Sequence, residues 1–427
     1  MADPTSLQDL TPILQNVYLP IRKKIFPINT VLLAQARKLG PEHVTYAGND
    51  LFFDVKVDRR GGFTSSTIGA LPESKVAKEK QGRLSVARTY AKAQVDGLAL
   101  KANSTTRGSY ISTAKKITED IMEQWELEQE RILHGDSLGI RAVSASGVAS
   151  ATQTVISPYG ITGAGPGNLH LVEGDTISFR SSDGVTLRGK RKILTITLVE
   201  ATGVATLVLD SSVTTTTGDI VLAAVPVAVD ANDDSFGAEP HGIKSIMDVE
   251  NAFATFEGLN DLRWSAVKNT STTVDETIVM KLLNTIRARS GVDWRKSPRN
   301  MLLLTTTGIW QAYGESLLGL RRFSAPTMEL KGGFTGVMVA NATLIDDPWA
   351  PRGRLYAIYG PDTVFIDLMD FGEVSFQDAP KWQRANNFDR WEAVFASYWN
   401  YGVTSRISQG VISGITDTVN YSPVFGS

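Results

Sequence analysis

Apolar positions along this chain change their period several times, and each change marks a different element. Thr11-Pro12 reads as cap and first helical residue ahead of Ile13, Leu14 and Val17, and Pro20 ends that turn. Asn29 or Thr30 opens a second short helix, Val31–Leu39, which Gly40-Pro41 closes. Leu51–Val57 and Leu84–Leu100 are strand-like. Between them Asp58–Gly82 is polar and basic, punctuated by Gly61-Gly62 and Leu71-Pro72, so the three stretches predict one long hairpin. Tyr110–His134 then takes the helical period. Ala114, Ile117, Ile121, Trp125 and Ile132 share a face that Glu128 interrupts, Ser109 or Ser112 can cap it, and Gly135 can close it.

Past Gly139 the pattern becomes one of short strands. Residues 141–235 are rich in Thr, Val, Ser and Gly. Leu171–Phe179, Val185–Leu198, Val204–Leu209 and Asp219–Val229 predict a small all-β module, left through Asp230–Asp234. A mixed pattern resumes near His241. Thr273-Val-Asp-Glu276 reads as a capping box before a helix with Ile278, Val279, Leu282, Leu283 and Ile286 on one face, stopped at Gly291. Asn300–Thr305, Phe334–Leu344, Leu355–Tyr359 and Val364–Leu368 predict strands, and Ile309–Leu318 a short helix. Trp391–Gly414 predicts a strand pair carrying Trp391, Phe395, Tyr398, Trp399 and Tyr401. The fold class is α+β.

Composition narrows the chemistry. A chain of 427 residues with 42% hydrophobic positions can build ordinary cores in two or three domains. Cysteine is absent, which excludes disulfides, thiolate metal sites and a cysteine nucleophile. The histidines (His43, His134, His170, His241) show no metal-ligand spacing, so no metal and no cofactor is expected. Met1–Gln15 has no signal-peptide pattern, and Ile220–Val229, the most apolar run, is broken by Pro226 and too short to span a bilayer. A soluble protein made in a cytoplasm, with no membrane contact, is expected. The net charge of −2 hides a division. Residues 1–116 hold 18 basic and 9 acidic residues, a balance of +9, and the remainder carries −11. Such a chain can set its basic half against a neighbour's acidic half.

Motifs for catalysis lack their context. Gly135-Asp-Ser-Leu-Gly139 matches a G-x-S-x-G elbow but follows a charged helix instead of a strand, and reads as a helix-ending turn. Gly184–Lys190 has Walker A spacing, yet Arg191 follows where a hydroxyl should bind magnesium, and the stretch reads as strand and turn. Gly163–Gly167 has no helix after it to hold a pyrophosphate. The acid pairs Asp346-Asp347 and Asp233-Asp234 have the chemistry of metal carboxylates, but adjacent loop acids are far more often simply solvated, and that is the reading favoured. Trp382, Trp391, Trp399 and Tyr401 read as core. No catalytic residue is assigned.

The order of parts resembles the major capsid protein of tailed double-stranded DNA bacteriophages, the Hong Kong 97 capsid fold. Phe53-Asp-Val-Lys-Val-Asp-Arg-Arg-Gly-Gly-Phe63 with Leu71-Pro72 is similar to that family's extended loop. Glu130-Arg-Ile-Leu-His-Gly-Asp-Ser-Leu-Gly139 is similar to the end of its spine helix, and Thr273–Ile286 with Asn300–Leu318 to its axial domain. The resemblance spans roughly residues 10–415 and implies an N-terminal arm (1–50), the extended hairpin with its strands (51–100), and the spine helix of a peripheral domain (101–140). It also implies a β-rich insertion (141–235), an axial domain with part of the peripheral domain (236–380), and closing peripheral strands with a tail (381–427). It implies a structural, non-enzymatic subunit forming hexamers and pentamers in the icosahedral shell of a virion. Implied partners are further copies of itself, a separate scaffolding protein, a portal, decoration proteins, and packaged double-stranded DNA contacted non-specifically. Inter-subunit contacts are expected at Arg22, Lys23, Lys24, Arg59, Arg60, Lys75, Lys78, Lys80, Glu119, Glu123 and Glu126. Some relatives crosslink a loop lysine to an asparagine; here Asn386-Asn387-Phe388 leads into Trp391, and a shell without covalent links is expected. An encapsulin-type nanocompartment shell is the alternative, and a β-rich phage-associated hydrolase or glycan-binding protein the second.

Overall fold

The computed structural model describes residues 31–39, 44–45, 50–56, 58, 60–62, 65, 73–96, 113–156, 170–199, 204–225, 233–248, 264–296, 300–318, 327–329, 335–339, 341–347, 349–373, 382–384 and 389–417. The expected helix after Pro12, the basic run Arg22–Lys24, Arg59, Leu71-Pro72, Gly163–Gly167 and Asn386–Phe388 lie outside them.

The helices are α1 (Val31–Leu39), α2 (Thr113–His134), α3 (Ile243–Met247), α4 (Glu276–Ser290) and α5 (Thr307–Leu318). Strands β1 (Val44–Thr45), β2 (Asp50–Lys56), β3 (Glu79–Ser85) and β4 (Ala87–Asp96) precede α2. The two stretches Leu51–Val57 and Leu84–Leu100 were expected to pair as one hairpin. Instead β2 pairs antiparallel with β3, and β4 leaves at Val86 for another sheet. Buried Asn400 holds this corner, donating from Nδ2 to the carbonyl of Ser85 while its Oδ1 accepts from the His241 amide.

After α2 come β5 (Ile140–Ser144), β6 (Ala149–Ile156), β7 (Thr176–Arg180), β8 (Leu187–Val199), β9 (Val204–Thr214) and β10 (Ile220–Ala223). They close into a barrel in the order β10-β5-β6-β9-β8-β7, around Val155, Phe179, Ile193, Leu207 and Val221. The sequence pattern missed β5 and β6, whose small residues carry little apolar signal. Gln153 is fully buried in the barrel, where its amide reaches the carbonyls of Ser150 and Val213 and accepts from Thr215. The chain enters and leaves the barrel at one place. The Gly237 amide donates to the Leu138 carbonyl, and Gly139 takes φ 75° with no room for a Cβ beside the Ser235 carbonyl.

The rest forms two sheets. Strands β11 (Val267–Thr270), β12 (Met301–Thr305), β13 (Thr327–Glu329), β14 (Thr335–Val339), β15 (Ala342–Asp346), β16 (Arg354–Tyr359) and β20 (Gly410–Ser413) make one, in the order β11-β20-β16-β12-β15-β14-β13. Both faces are covered, which explains the unbroken apolar run of β12. Met301 and Leu303 pack toward α4 and α5, Leu302 and Leu304 toward the central core. The expected single strand Phe334–Leu344 is a hairpin, because Asn341 takes a left-handed φ of 73° and turns the chain between β14 and β15. Asp275, not Thr273, caps α4 by accepting from the Ile278 amide; Gly291 ends it in the left-handed region.

The second sheet holds β1, β17 (Thr363–Glu373), β18 (Trp382–Arg384) and β19 (Arg390–Val403), with β4 along β19. The expected Trp391–Gly414 pair is therefore split, β19 lying in this sheet and β20 in the other. Spine helix α2 crosses the sheet. Ile117 and Ile121 meet Ala93, Ala393 and Phe395, and Trp125 meets the fully buried Trp399 edge-on at 6.5 Å, with Phe365 stacked on Trp399 at 5.4 Å. Each such aromatic pair adds roughly 0.5–1.5 kcal/mol beyond its buried area. At 22 residues α2 is about 33 Å long, so one element ties sheet, barrel and core together. Among the described residues no helix is long and apolar enough to cross a membrane.

The end of α2 butts against Gly242. A Cβ there would lie 2.4–2.6 Å from the carbonyl oxygens of Ile132, Leu133 and Gly135, all backbone atoms. We expect Gly242→Ala to destabilise the subunit by about 1–3 kcal/mol, read as a lowered denaturant midpoint at unchanged slope. An unaltered midpoint would mean that α2 and α3 do not meet this closely.

Candidate assembly surfaces and the joint beneath them

The hairpin has two faces. Leu51, Phe53, Val55 and Leu84 turn inward onto the central core, with Phe53 stacked on Trp264 at 6.3 Å and lying over Gly82, where no Cβ fits. Phe52, Asp54 and Lys56 point outward. Beyond Lys56 and Glu79 the ladder continues through Asp58 to Lys78 and Gly61 to Lys75 without a buried apolar side chain among the described residues. Arg60, Lys75 and Lys78 are exposed on this extension and Lys80 just inside the ladder, opposite Val55; Val76 is 76% exposed. At the root Arg83 pairs with Asp50 at 3.1 Å. Glu119 and Glu126 are exposed on α2 ahead of its last two turns, and Glu123 is half-buried. The expected contact residues that are described thus fall into a basic group on the hairpin and an acidic group on the spine.

The last turn of α2 differs from its start. Gln129, Glu130, Arg131 and His134 are all buried beside Ile132 and Leu133. The acidic run of this helix therefore turns inward at Glu128 and Glu130. The Glu130 carboxylate accepts the Leu32 amide on one oxygen and the Leu33 amide on the other, each at 2.8 Å. Those are free N–H groups of the first turn of α1, so a residue distant in sequence caps the arm helix. On the other side His134 Nε2 lies 3.6 Å from Glu130 and 3.0 Å from Asp347, just after β15. Asp347 is fully buried and also accepts from the Trp349 amide, which overturns its reading as a solvated loop acid.

Burial lowers the His134 pKa, but Asp347 and Glu130 outweigh it and raise it from 6.5 to about 9. Burial and the nearby Asp347 raise Glu130 from 4.5 to about 7, against the pull of His134. A second network lies alongside. Arg131 bridges Glu128 at 2.9 Å and also binds Glu239, while Arg141 at the start of the barrel reaches Glu128 at 3.1 Å and the His170 carbonyl at 3.0 Å. Burial opposes ionisation of Glu128, yet Arg141 and Arg131 hold its pKa down at about 2. Burial and Arg131 push His170 down to about 3, so it packs as a neutral ring 5.3 Å from Trp349.

The remaining motifs settle into structural roles. Gly135–Gly139 is the turn after α2, with the Gly135 amide bonded to the Ile132 carbonyl and Asp136 paired to Lys244 at 2.9 Å. Gly184, at φ 75°, lies under the Phe236 ring and opens the turn into β8. Asp234 is buried against Arg180 at 2.6 Å and Ser178, again not a solvated acid. Trp399 and Tyr401 are core; Trp382 is half-buried, and Trp391, near the start of β19, is 37% exposed. Glu130, His134 and Asp347 were missed as a group. The one available signal was Glu130 and His134 at i,i+4, flanking the apolar Ile132-Leu133.

No protein-family model matches the sequence, and no curated protein is detectably similar to it. Solved structures are. The capsid asymmetric unit of cyanophage A-1(L) aligns over 96% of this chain and 100% of its own at 13% identity, with a TM-score of 0.57. Its fold is the phage capsid fold, of the Hong Kong 97 type. The capsid of a native GTA particle (9% identity, 97% and 100% covered, TM-score 0.49) and an encapsulin of Synechococcus elongatus (8%, 98% and 99%, 0.47) also align. Phage capsid subunits are structural proteins, not enzymes. In a chain of this fold the hairpin and spine are the parts to test for contact with neighbours.

The joint gives a pH dependence of definite sign. Both Glu130 and His134 have raised pKa values when folded, so each stabilises the fold fully below its unfolded pKa. That contribution is lost as pH rises through the folded value, from about 4.5 to 7 for Glu130 and 6.5 to 9 for His134. Thermal melts at fixed ionic strength should show Tm falling from pH 6.5 to 9, and His134→Gln should flatten the part of that slope above pH 7. A Tm that rises over this range in the wild type would contradict the assignment.

Proposed function

We propose that the chain is the major head subunit of a tailed double-stranded DNA phage, assembling through hexamers and pentamers into a closed icosahedral shell around the genome. The observation that carries this reading is the hairpin extension past Lys56 and Glu79, a charged two-stranded ribbon with no buried apolar side chain among its described residues. An isolated two-stranded ribbon is marginal in water. One that reaches beyond its body fits a part completed by a neighbour. Residues 56–80 carry six basic and three acidic side chains, so the projecting ribbon brings +3 to a partner surface. Exposed Glu119 and Glu126 on a neighbour's spine helix offer the complement. Each exposed pair contributes only about 0–1 kcal/mol, so the charges select the correct neighbour more than they hold it.

The barrel of residues 140–223 has its own core and joins the body at one place, which supports reading it as an insertion outside the shared shell core. A separately encoded scaffold and a portal would be the assembly partners, the DNA would be contacted without sequence preference, and the shell would be held without covalent links. The virion head is then the site of action, filled after synthesis in the host cytoplasm.

Expression with the scaffold should yield closed particles by electron microscopy, and these should dissolve to single chains in hot detergent. A protein that stays monomeric with scaffold present, or a ladder of covalent multimers, would reject the respective claim. Particles that enclose a protein cargo instead of DNA would redirect the reading to a nanocompartment. Reversing Arg59 and Arg60 to Glu should raise the concentration needed for assembly, more so at low salt, with the melting curve of the free subunit unchanged. Normal assembly with only DNA packaging impaired would move the hairpin to the lumen side.

A further inference from the structure

We propose that Glu130, His134 and Asp347 form a binding site for a divalent transition-metal ion that pins the arm helix, the spine helix and the strand end after β15 together. The three donor atoms lie within 4.8 Å of one another, and all three residues are buried. His134 Nε2 stands 3.0 Å from the Asp347 oxygen and 3.6 Å from the Glu130 oxygen. Two donors on a tetrahedral zinc at bond lengths near 2.0–2.2 Å are about 3.3–3.5 Å apart, so small shifts close the set. Glu130 and His134 sit at i,i+4 on the last turn of a long helix and therefore project from one face. Asp347 comes from another element, fixed by its own amide on the Thr305 carbonyl and by its carboxylate on the Trp349 amide.

A divalent ion would take the place of the protons here: with the imidazole neutral, the two carboxylates carry the two negative charges that such an ion neutralises. The Leu32 and Leu33 amides each occupy one lone pair of a Glu130 oxygen and leave the other free. Such backbone hydrogen bonds to a ligating carboxylate are the usual outer support of a metal site. His134 Nδ1 has no partner among the described residues, and that holds for any protonation state of the ring, so it does not decide between proton and metal. One imidazole and two carboxylates suit zinc or its first-row neighbours better than calcium. The pH trend given above belongs to the metal-free chain.

The test uses the full-length subunit, stripped with a chelator and desalted. Wild type, Asp347→Asn and His134→Gln are each titrated with zinc alone, read by elemental analysis after gel filtration, and with cobalt(II), read by its visible absorption. Asp347→Asn keeps the size of the side chain and an acceptor for the Trp349 amide, so it should fold, which circular dichroism checks. The expected result is about one zinc per wild-type chain, a cobalt spectrum of tetrahedral intensity, a raised Tm, and binding weakened roughly 100-fold or more in Asp347→Asn. Wild-type chains that retain no zinc after gel filtration overturn the site. So does uptake that Asp347→Asn leaves unchanged, which would place the ion on surface carboxylates.

Discussion

One carboxylate, that of Glu130, holds the subunit's parts in register. It sits in the last turn of the spine helix, takes two amides from the start of the arm helix, and faces His134, which faces Asp347. Arm, spine and the larger sheet therefore meet at a single charged point inside the core. Burying such groups costs several kcal/mol unless they satisfy one another, and here every carboxylate oxygen named has a partner. Removing one member would leave the others charged and alone, which costs more than the pair itself contributes. The constraint is thus one of geometry: the arm helix can dock only where its free amides meet Glu130.

The neighbouring Arg131 network does for the barrel what Glu130 does for the arm. Arg131 and Arg141 share Glu128, and Glu239 closes the set from the segment that leaves the barrel. The chain's departure from the spine and its return to the core are tied to the same helical turn. The barrel has a filled core of its own. The hairpin is the opposite case. Its root is anchored by Phe53 and Leu84, and past Lys56 the ladder runs from Asp58 to Lys78 and Gly61 to Lys75 without a buried apolar side chain among the described residues.

The order of elements was legible because each has a strong local signature: the helix Val31–Leu39, the long period of α2, the stop at Gly291, the buried run of β12. Local pattern failed where two elements share one continuous apolar run. Leu84–Leu100, Phe334–Leu344 and Trp391–Gly414 each read as one unit, and each is divided by a corner that tertiary contacts set, at Val86, at Asn341 and between β19 and β20. The barrel strands Ile140–Ser144 and Ala149–Ile156 were invisible because a closed barrel buries small residues such as Ala142 that carry little hydrophobic signal.

The sequence by itself determined the fold class, the order arm–hairpin–spine–β module–mixed domain, the split of charge between the two ends of the chain, and the absence of any thiol chemistry. These depend on composition and on periods read within a few residues. Only the tertiary structure decided which charges are surface and which are structural. Glu119 and Glu130 lie on the same acidic helix, yet one faces water and the other caps a helix about 100 positions away in sequence. Asp347 reads as a loop acid until β15 delivers it to His134. A charge takes its role from its partner, and partners separated by 98 or 213 positions have no local signature.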